Sequence, residues 1–316
     1  MKVIVKDSFN IEAPEGFAVE GLDDPNNPHI PRRNDDYVFR REHLRDILAY
    51  LQAPAGDGLY ITGPTGSGKT SLVLQTAARL NWPVQQVTCH GRLELGQLIG
   101  QFQLVNGNME YVHGPLSMAV RDGHILVLNE IDLVEPSELA GLNDIIEGQP
   151  LVIPENSGEV IHPHPKFRLV ATGNSAGSGD RLGVYQGVLR QNLAFLDRFR
   201  IMEVGYPEPD EEAKVLEKAA PVLPEQIRQK MIQVAGEIRR LFIGTPDGGQ
   251  ELSVTLSTRT LIRWAQLTVA FRRAPNAVAY ALERALTLRA EPEEREAIHR
   301  IAADAFGDIW GEEDDE

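Results

Sequence analysis

Apolar residues follow two different patterns along the chain. The change from one pattern to the other divides the chain into two parts. Up to about residue 206, short apolar runs bounded by turn residues alternate with segments in which apolar residues recur at helical spacing. The apolar runs are residues 59–62, 84–87, 125–128, 167–172 and 201–204. Short apolar runs separated by helices predict a parallel sheet with helices on both faces.

After residue 206 the pattern is helical. Helical periodicity covers residues 211–219, 225–242, 258–271, 276–290 and 293–306. Near the amino terminus, a strand-like run at residues 3–5 precedes a connector rich in Pro, Asn and Asp, and a helix is predicted over residues 40–51. We therefore predict four parts: a strand or arm with a linker (1–36), an α/β domain (37–206), a smaller all-helical domain (207–310) and an acidic tail (311–316).

Two hairpins are predicted as inserts within the α/β part. Asn106, Gly107 and Asn108 separate residues 102–105 from residues 109–112, and Asn and Gly favour the positive φ angles of a hairpin turn. A polar segment at residues 155–159 similarly separates residues 151–153 from residues 160–161.

Composition favours a globular protein and disfavours a membrane-spanning or general nucleic-acid-binding one. The 316 residues are 42% hydrophobic and 24% charged, as in soluble globular proteins. No apolar run approaches the roughly eighteen residues of a membrane span, and no secretory signal is evident. Cys89 is the one cysteine, so a cytoplasmic location is expected. The net charge of −15 argues against a general nucleic-acid-binding surface.

The glycine-rich turn after residues 59–62 carries a phosphate-binding motif. It reads G-x-x-x-x-G-K-T and consists of Gly63, Pro64, Thr65, Gly66, Ser67, Gly68, Lys69 and Thr70. Glycines allow backbone N–H groups to point at phosphates, at the start of the helix predicted over residues 69–80. We expect Lys69 to reach the β- and γ-phosphates of ATP, and Thr70 to bind Mg²⁺. Ser71, the next helical residue, completes the predicted nucleotide site of this P-loop.

The next apolar run ends in Asn129 and Glu130. An acidic pair is expected at this place, with the first acid holding the magnesium shell and the second polarising water. Asn129 can still hydrogen-bond water on Mg²⁺ but brings no charge, so metal affinity should fall. Glu130 is the predicted general base.

Two further polar positions lie at strand boundaries. Asn174 follows residues 167–172 and could orient the attacking water beside Glu130, although a strand-end Asn is more often a turn residue. Arg198 precedes the last strand, where it could enter the site of a neighbouring subunit; a surface ion pair is the alternative. Arg200 is the next candidate for that role.

With these parts in order, the chain resembles the MoxR branch of AAA+ ATPases, and within it the AAA+ (CobS) subunit of aerobic cobaltochelatase. The resemblance covers nearly the whole chain and is carried by Val5-Lys6-Asp7-Ser8-Phe9, Ala78-Arg79-Leu80-Asn81-Trp82-Pro83, Ile161-His162-Pro163-His164-Pro165, residues 168–174 and residues 257–265. It implies the AAA+ fold, in which a parallel sheet between helices is followed by a helical lid.

The resemblance also implies roles for individual residues. Asn174 matches the sensor 1 position, Arg198 the arginine finger given in trans, and Arg259 the sensor 2 arginine of the lid. The two predicted hairpins match the insert in helix 2 and the hairpin before sensor 1. The family forms hexameric rings and works with a separate von Willebrand A-type protein, so both are expected here.

Three functions remain open at this point. The first is a motor that remodels a protein partner, with a role in metal insertion as one form of that work. The second is a nucleotide-dependent scaffold with little turnover, because the family has Asp where this chain has Asn129. The third is a motor directed at nucleic acid, which the acidic charge disfavours. His162 and His164 could ligate cobalt, but the intervening prolines and the lack of a third ligand favour a structural hairpin end.

Overall fold

The computed structural model describes residues 1–177, 179, 187–243 and 252–311. The chain forms two compact units. The first unit comprises Met1–Asp35, Phe39–Pro64 and Lys69–Val204, and the second comprises Asp36–Val38, Thr65–Gly68 and Gly205–Glu316.

Strands are confined to the first unit within the described residues. They are β1 (Lys2–Ile4), β2 (Ala18–Glu20), β3 (Gly58–Thr62), β4 (Val84–Thr88), β5 (Gly100–Val105), β6 (Asn108–His113), β7 (Ile125–Asn129), β8 (Leu151–Ile153), β9 (Glu159–Ile161), β10 (Arg168–Gly173) and β11 (Phe199–Glu203). The helices of this unit are α1 (Val5–Phe9), α2 (Arg41–Gln52), α3 (Lys69–Arg79), α4 (Leu95–Ile99), α5 (Pro115–Asp122), α6 (Pro136–Leu139), α7 (Asn143–Ile146) and α8 (Leu193–Leu196), with three 3-10 turns at Ile131–Leu133, Ala140–Leu142 and Pro154–Asn156.

The main sheet is parallel and has the strand order β11-β3-β10-β7-β4. Every residue of its three central strands, β3, β10 and β7, is buried, which explains their nearly continuous apolar sequences. The edge strands β4 and β11 include exposed positions. This confirms the predicted parallel sheet. Because parallel strands end at the same edge, the residues that follow β3, β7 and β10 lie together.

The amino-terminal segment differs from its prediction. The strand β1 ends at Ile4, where residues 3–5 were predicted as the strand, and Val5 begins the helix α1. Val5 and Phe9 are four residues apart and both buried, as expected for the inner face of one helical turn. Asn10 ends the helix with φ 51°. Strand β1 pairs with β2 in a separate two-stranded sheet.

Both hairpins are present. In the first, formed by β5 and β6, Asn106 and Gly107 have φ angles of 51° and 88°, the signature of a two-residue type I′ turn. Asn108 was placed in the turn but pairs with Val105 as part of the strand. The second hairpin is formed by β8 and β9. The two are joined by a hydrogen bond of 2.7 Å between His113 Nε2 and Glu159 Oε2.

The described part of the second unit is helical. Its helices are α9 (Pro209–Ala219), α10 (Glu225–Ile243), α11 (Thr258–Ala270), α12 (Ala277–Ala285), α13 (Pro292–Phe306) and α14 (Asp308–Gly311). The helix predicted over residues 276–290 ends at Ala285 and is followed by a 3-10 turn, Thr287–Arg289. Trp264 and Phe306 are among the buried residues of this core. Among the described residues, no helix combines the length and apolar character needed to span a membrane.

Candidate nucleotide site

The P-loop connects β3 to α3 and requires glycine for steric reasons. Gly63, Gly66 and Gly68 have φ angles of 144°, 70° and 100°, which residues with a Cβ rarely adopt. A Cβ added to Gly63 would lie 2.2 Å from the carbonyl oxygen of Val204. The turn therefore brings its backbone against the neighbouring strand end and directs the chain into the first turn of α3.

Lys69 is buried at the base of this loop. Its ammonium group donates hydrogen bonds to the carbonyl oxygens of Gly63 (2.7 Å) and Pro64 (3.0 Å). It also donates to Oδ1 of Asn174 at 3.0 Å. The predicted phosphate-binding lysine and the predicted sensor 1 amide are thus in direct contact.

Thr70 and Asn129 form the second contact of the site. Thr70 Oγ1 donates to Asn129 Oδ1 at 2.5 Å, and Thr172 Oγ1 donates to the same oxygen at 3.3 Å. The amide nitrogen of Asn129 faces away and donates to the carbonyl oxygen of Val87 at 3.4 Å. The amide therefore presents its oxygen, the atom that it shares with aspartate, to the threonine of the P-loop.

Glu130 follows Asn129 in an unusual backbone conformation. Its φ and ψ angles are 56° and 42°, in the left-handed region that side chains with a Cβ seldom occupy. The conformation turns the carboxylate towards Asn174, whose Nδ2 donates to Glu130 Oε2 at 2.6 Å. Asn174 thus bridges Lys69 and Glu130, and these three predicted site residues, which follow three neighbouring strands, form one hydrogen-bonded chain.

Arg198 does not join that cluster in this chain. Its Nε and Nη2 atoms lie 2.7 Å and 2.6 Å from Glu147 Oε1, and its Nη1 donates to the carbonyl oxygen of Ala194. Arg200 pairs with Asp57 at 2.8 Å. Both arginines therefore make ion pairs within the first unit, and Arg198 keeps 29% of its side chain exposed.

Arg259 belongs to the second unit, as the second residue of α11. Ser257 caps this helix by accepting a hydrogen bond from Thr260 N at 3.2 Å. Gly66 belongs to the same unit as Arg259. A Cβ added to Gly66 would lie 2.5 Å from Ser257 Oγ and 3.7 Å from Arg259 Cβ. The side chain of Arg259 is exposed.

Comparison with known proteins identifies two domain families that the chain matches. Residues 58–199 match the AAA domain of the dynein-related subfamily, and residues 212–305 match the CbbQ/NirQ/NorQ C-terminal domain. The protein NorQ of Paracoccus denitrificans is 31% identical over 286 residues, which cover 89% of this chain and 100% of NorQ. The chain belongs to the MoxR branch of AAA+ ATPases.

Another relative of this MoxR-branch chain is the aerobic cobaltochelatase subunit CobS of a Sinorhizobium species. It is 31% identical over 247 residues, which cover 75% of this chain and 72% of CobS. Among solved structures, the RuvB Holliday junction branch migration motor of Thermotoga maritima is similar with a TM-score of 0.47 and 13% identity, over 90% of this chain and 76% of that chain.

The residues present fit ATP and Mg²⁺, which AAA+ proteins generally bind. Thr70 Oγ1 and Asn129 Oδ1 are oxygen atoms, the type of metal ligand that Mg²⁺ prefers. Ser67 Oγ is buried and lacks a hydrogen-bond partner among the described residues, as expected for a hydroxyl that binds a ligand. Lys69 supplies a positive charge at the same loop. Ser71, also predicted for this site, is exposed on α3.

A residue that contacts the candidate site, Asp132, was not predicted from the sequence. Asp132 is fully buried, and its Oδ2 accepts hydrogen bonds from the backbone N–H groups of Asn174 (2.8 Å) and Ser175 (3.2 Å). Burial raises the pKa of this carboxyl group. The available signal was an acid between Ile131 and Leu133, since an acid among apolar neighbours requires a partner.

Of the two histidines considered as cobalt ligands, His164 makes hydrogen bonds within the chain. His164 donates its backbone N–H to the carbonyl oxygen of Val120 at 2.8 Å, and its Nδ1 accepts from Lys166 N at 3.0 Å. His162 is exposed. Over the ranges that the structure describes, no three His, Cys, Asp or Glu side chains form a group able to hold a metal ion.

Proposed function

We propose that this MoxR-branch protein binds ATP with Mg²⁺ and hydrolyses it as an oligomeric ring, a hexamer, to remodel or activate a protein partner. The observation that carries the proposal is the bridge formed by Asn174, which joins Lys69 at 3.0 Å to Glu130 at 2.6 Å. A phosphate-binding cation, an amide that can orient water and an acid that can accept a proton are groups that catalyse hydrolysis of a phosphoanhydride.

Each residue has a defined task in this proposal. Lys69 and the P-loop N–H groups bind the phosphates, and Thr70 and Asn129 hold the magnesium shell. The metal ion, when bound, supplies positive charge that offsets the charge of the phosphates. Glu130 accepts the proton of the attacking water, which Asn174 orients from the adjacent strand end.

The proposed ring rests on the roles proposed for two arginines. Arg198 directly precedes β11 and contacts Glu147 rather than the cluster around Lys69. We propose that it enters the nucleotide site of a neighbouring subunit, while Arg259 acts on nucleotide from the lid of its own subunit. An arginine finger given in trans makes hydrolysis depend on assembly.

The partner is proposed to be a separate protein that contains a von Willebrand A-type domain, as the resemblance implies. The relative named as a cobaltochelatase subunit extends the proposal to metal insertion. Within the described residues there is no cluster of metal ligands, so in this proposal the metal is handled by the partner. We further propose a cytoplasmic location.

A scaffold that binds ATP and turns over little is the second candidate, and Asn129 is the observation that favours it. The site keeps an oxygen towards Thr70 but lacks the carboxylate charge that would attract Mg²⁺. The net charge of −15 disfavours the third candidate, a nucleic-acid motor. DNA-stimulated ATP hydrolysis would favour it.

Subunit mixing tests the proposal. Arg198→Ala is expected to keep nucleotide affinity and lose most turnover, by up to the ~10³–10⁵-fold that arginine fingers contribute. Lys69→Ala is expected to lose ATP binding. A mixture of the two should regain activity, because mixed rings pair an intact P-loop with an intact finger. Arg200→Ala is the matched control. Normal turnover by Arg198→Ala, or full activity of a dilute monomer, would show that the finger in trans is wrong.

A further inference from the structure

A buried ion pair lies in the second unit, between α9 and α10. The guanidinium of Arg239 donates from Nη1 to Glu212 Oε2 at 2.9 Å and from Nη2 to Glu212 Oε1 at 2.7 Å. The two side chains are 8% and 2% exposed, respectively. This is the two-pronged geometry in which arginine binds a carboxylate most firmly.

The pair also holds the segment that leads into α11. Arg239 Nε donates to the carbonyl oxygen of Leu256 at 2.8 Å. Thr258 Oγ1 donates to Glu212 Oε1 at 3.2 Å. These two contacts lie on either side of Ser257, the cap of α11, and Thr258 directly precedes Arg259. The backbone that carries Arg259 is therefore fixed from both ends of the ion pair.

A third contact extends the network to the P-loop segment that belongs to the same unit. The guanidinium carbon of Arg239 lies 4.3 Å from the centre of the Tyr206 ring. The hydroxyl of Tyr206 donates to the carbonyl oxygen of Thr65 at 3.0 Å. Arg239 thus contacts, directly or through one residue, both Thr65 and the start of α11.

Stability alone does not explain a buried ion pair at this place. Removing two charges from water costs several kcal/mol per ion, and apolar residues of similar volume often stabilise a fold equally well or better. Here Arg239 also donates to Leu256, and Glu212 also accepts from Thr258. An apolar pair could not fix that segment by hydrogen bonds.

We propose that Glu212 and Arg239 are positioning residues that set the place of Arg259 at bound nucleotide. The inference rests on the proposed function, because it assumes that Arg259 acts on ATP. Neither residue touches nucleotide in this proposal. Their effect on hydrolysis passes through Arg259.

The test is a double-mutant cycle on ATP hydrolysis. Arg239→Lys keeps the buried charge but removes the fork and the contact with Leu256, so arginine and lysine are not equivalent here. We expect kcat/KM to fall about tenfold, within the ~10²-fold that a misplacement of about 1 Å can cost. The matched control is Arg240→Lys, the same change at the next residue, which pairs with Glu237 on the surface and should leave kcat/KM unchanged.

The decisive measurement is kcat/KM for Arg239→Lys in a chain that also lacks Arg259. In an Arg259→Ala background, Arg239→Lys should cause no further loss, because the residue through which it acts is gone. Multiplied losses in the double variant would overturn the positioning role and leave a structural one.

A second variant covers the case in which Arg239→Lys does not fold. Thr258→Val removes one hydroxyl contact to Glu212 with little change in volume, and Thr268→Val, in the same helix, is its control. Thr258→Val should lower kcat/KM about threefold, as expected for a lost hydrogen bond worth ~0.5–1 kcal/mol. Equal behaviour of the two threonine variants would overturn the inference. Wild-type turnover by Arg259→Ala would instead overturn the lid role in the proposed function.

Discussion

The side-chain hydroxyl of Thr70 donates a hydrogen bond of 2.5 Å to the side-chain oxygen of Asn129 and so joins the first turn of α3 to the end of β7. The amide nitrogen of Asn129 lies on the opposite side, 3.4 Å from the carbonyl oxygen of Val87. The site therefore keeps the oxygen of the usual aspartate and replaces its second oxygen with a hydrogen-bond donor. Asn129 therefore preserves the geometry of a magnesium site but lacks its negative charge.

Asn129→Asp should lower the Mg²⁺ concentration needed for half-maximal ATP hydrolysis. A full negative charge replaces a dipole at a buried position, where interactions between ions amount to a few kcal/mol. We expect a decrease of roughly tenfold or more, measured by titrating Mg²⁺ at saturating ATP. An unchanged or higher requirement would show that Asn129 does not face the metal. Wild-type turnover close to that of the variant supports a motor, whereas turnover only in the variant supports the scaffold.

Glu130→Gln should leave ATP binding intact and slow hydrolysis by about 10²–10⁴, the usual contribution of a general base. Glutamine keeps an oxygen that can accept the hydrogen bond from Asn174, so the geometry of the pair should persist. Nucleotide affinity and single-turnover hydrolysis are the two measurements. Glu135→Gln changes an exposed acid five residues later and serves as control. Unchanged turnover in Glu130→Gln would mean that another group activates the water.

Asp132→Ala should lower both the melting temperature and the turnover. It leaves the backbone N–H groups of Asn174 and Ser175 without their acceptor, and a buried unsatisfied group costs about 1–3 kcal/mol. Asp132→Asn retains an acceptor oxygen and should restore most of the turnover. Asp144→Ala, at an exposed position, is the control. If Asp132→Ala matches the wild type in turnover, the loop after β10 does not depend on this carboxylate.

The same position predicts a pH dependence of stability. Burial raises the pKa of Asp132, so its ionised form is disfavoured in the folded state. Its contribution to the free energy of unfolding therefore falls as the pH rises from the ordinary aspartate pKa to the raised one. Asparagine at this position does not titrate, so it makes no pH-dependent contribution to the free energy of unfolding. The melting temperature of the wild type relative to Asp132→Asn should fall across that interval, and parallel curves would contradict the expectation.

Glu147→Gln should lower turnover through Arg198 alone. The pair is partly exposed, and exposed ion pairs contribute about 0.2–1 kcal/mol, so the expected loss is roughly 1.4- to fivefold. The loss should vanish in the Arg198→Ala background. Asp57→Asn removes the partner of Arg200 in the same manner and should leave turnover unchanged. An equal loss with and without Arg198 would assign Glu147 a role of its own.

The proximity of candidate site residues was most predictable from the sequence where these residues follow strands. Lys69, Glu130 and Asn174 each follow a buried strand, and the ends of parallel strands meet at one edge of a sheet. Their proximity therefore depends on the fold class alone. The turn at Asn106 and Gly107 was predictable for a local reason, since both residues tolerate positive φ.

Contacts between distant side chains were not predictable in this way. Glu147 and Arg198 are 51 positions apart, and Glu212 and Arg239 are 27 apart. Helical periodicity places each residue on a face but does not say which charged groups on different elements meet. The helix that begins at Val5 was missed because β-branched residues favour strands, and burial of Val5 and Phe9 outweighs that preference.

The left-handed backbone at Glu130 sets stability against activity at one position. A residue with a Cβ is strained there by about 1 kcal/mol or more, whereas glycine is not and asparagine is strained less. Selection of random variants for heat resistance alone should therefore enrich glycine or asparagine at position 130. Selection for ATP turnover should return glutamate. On the proposed function, the strain at this residue is the loss of stability that accompanies a general base placed beside Asn174.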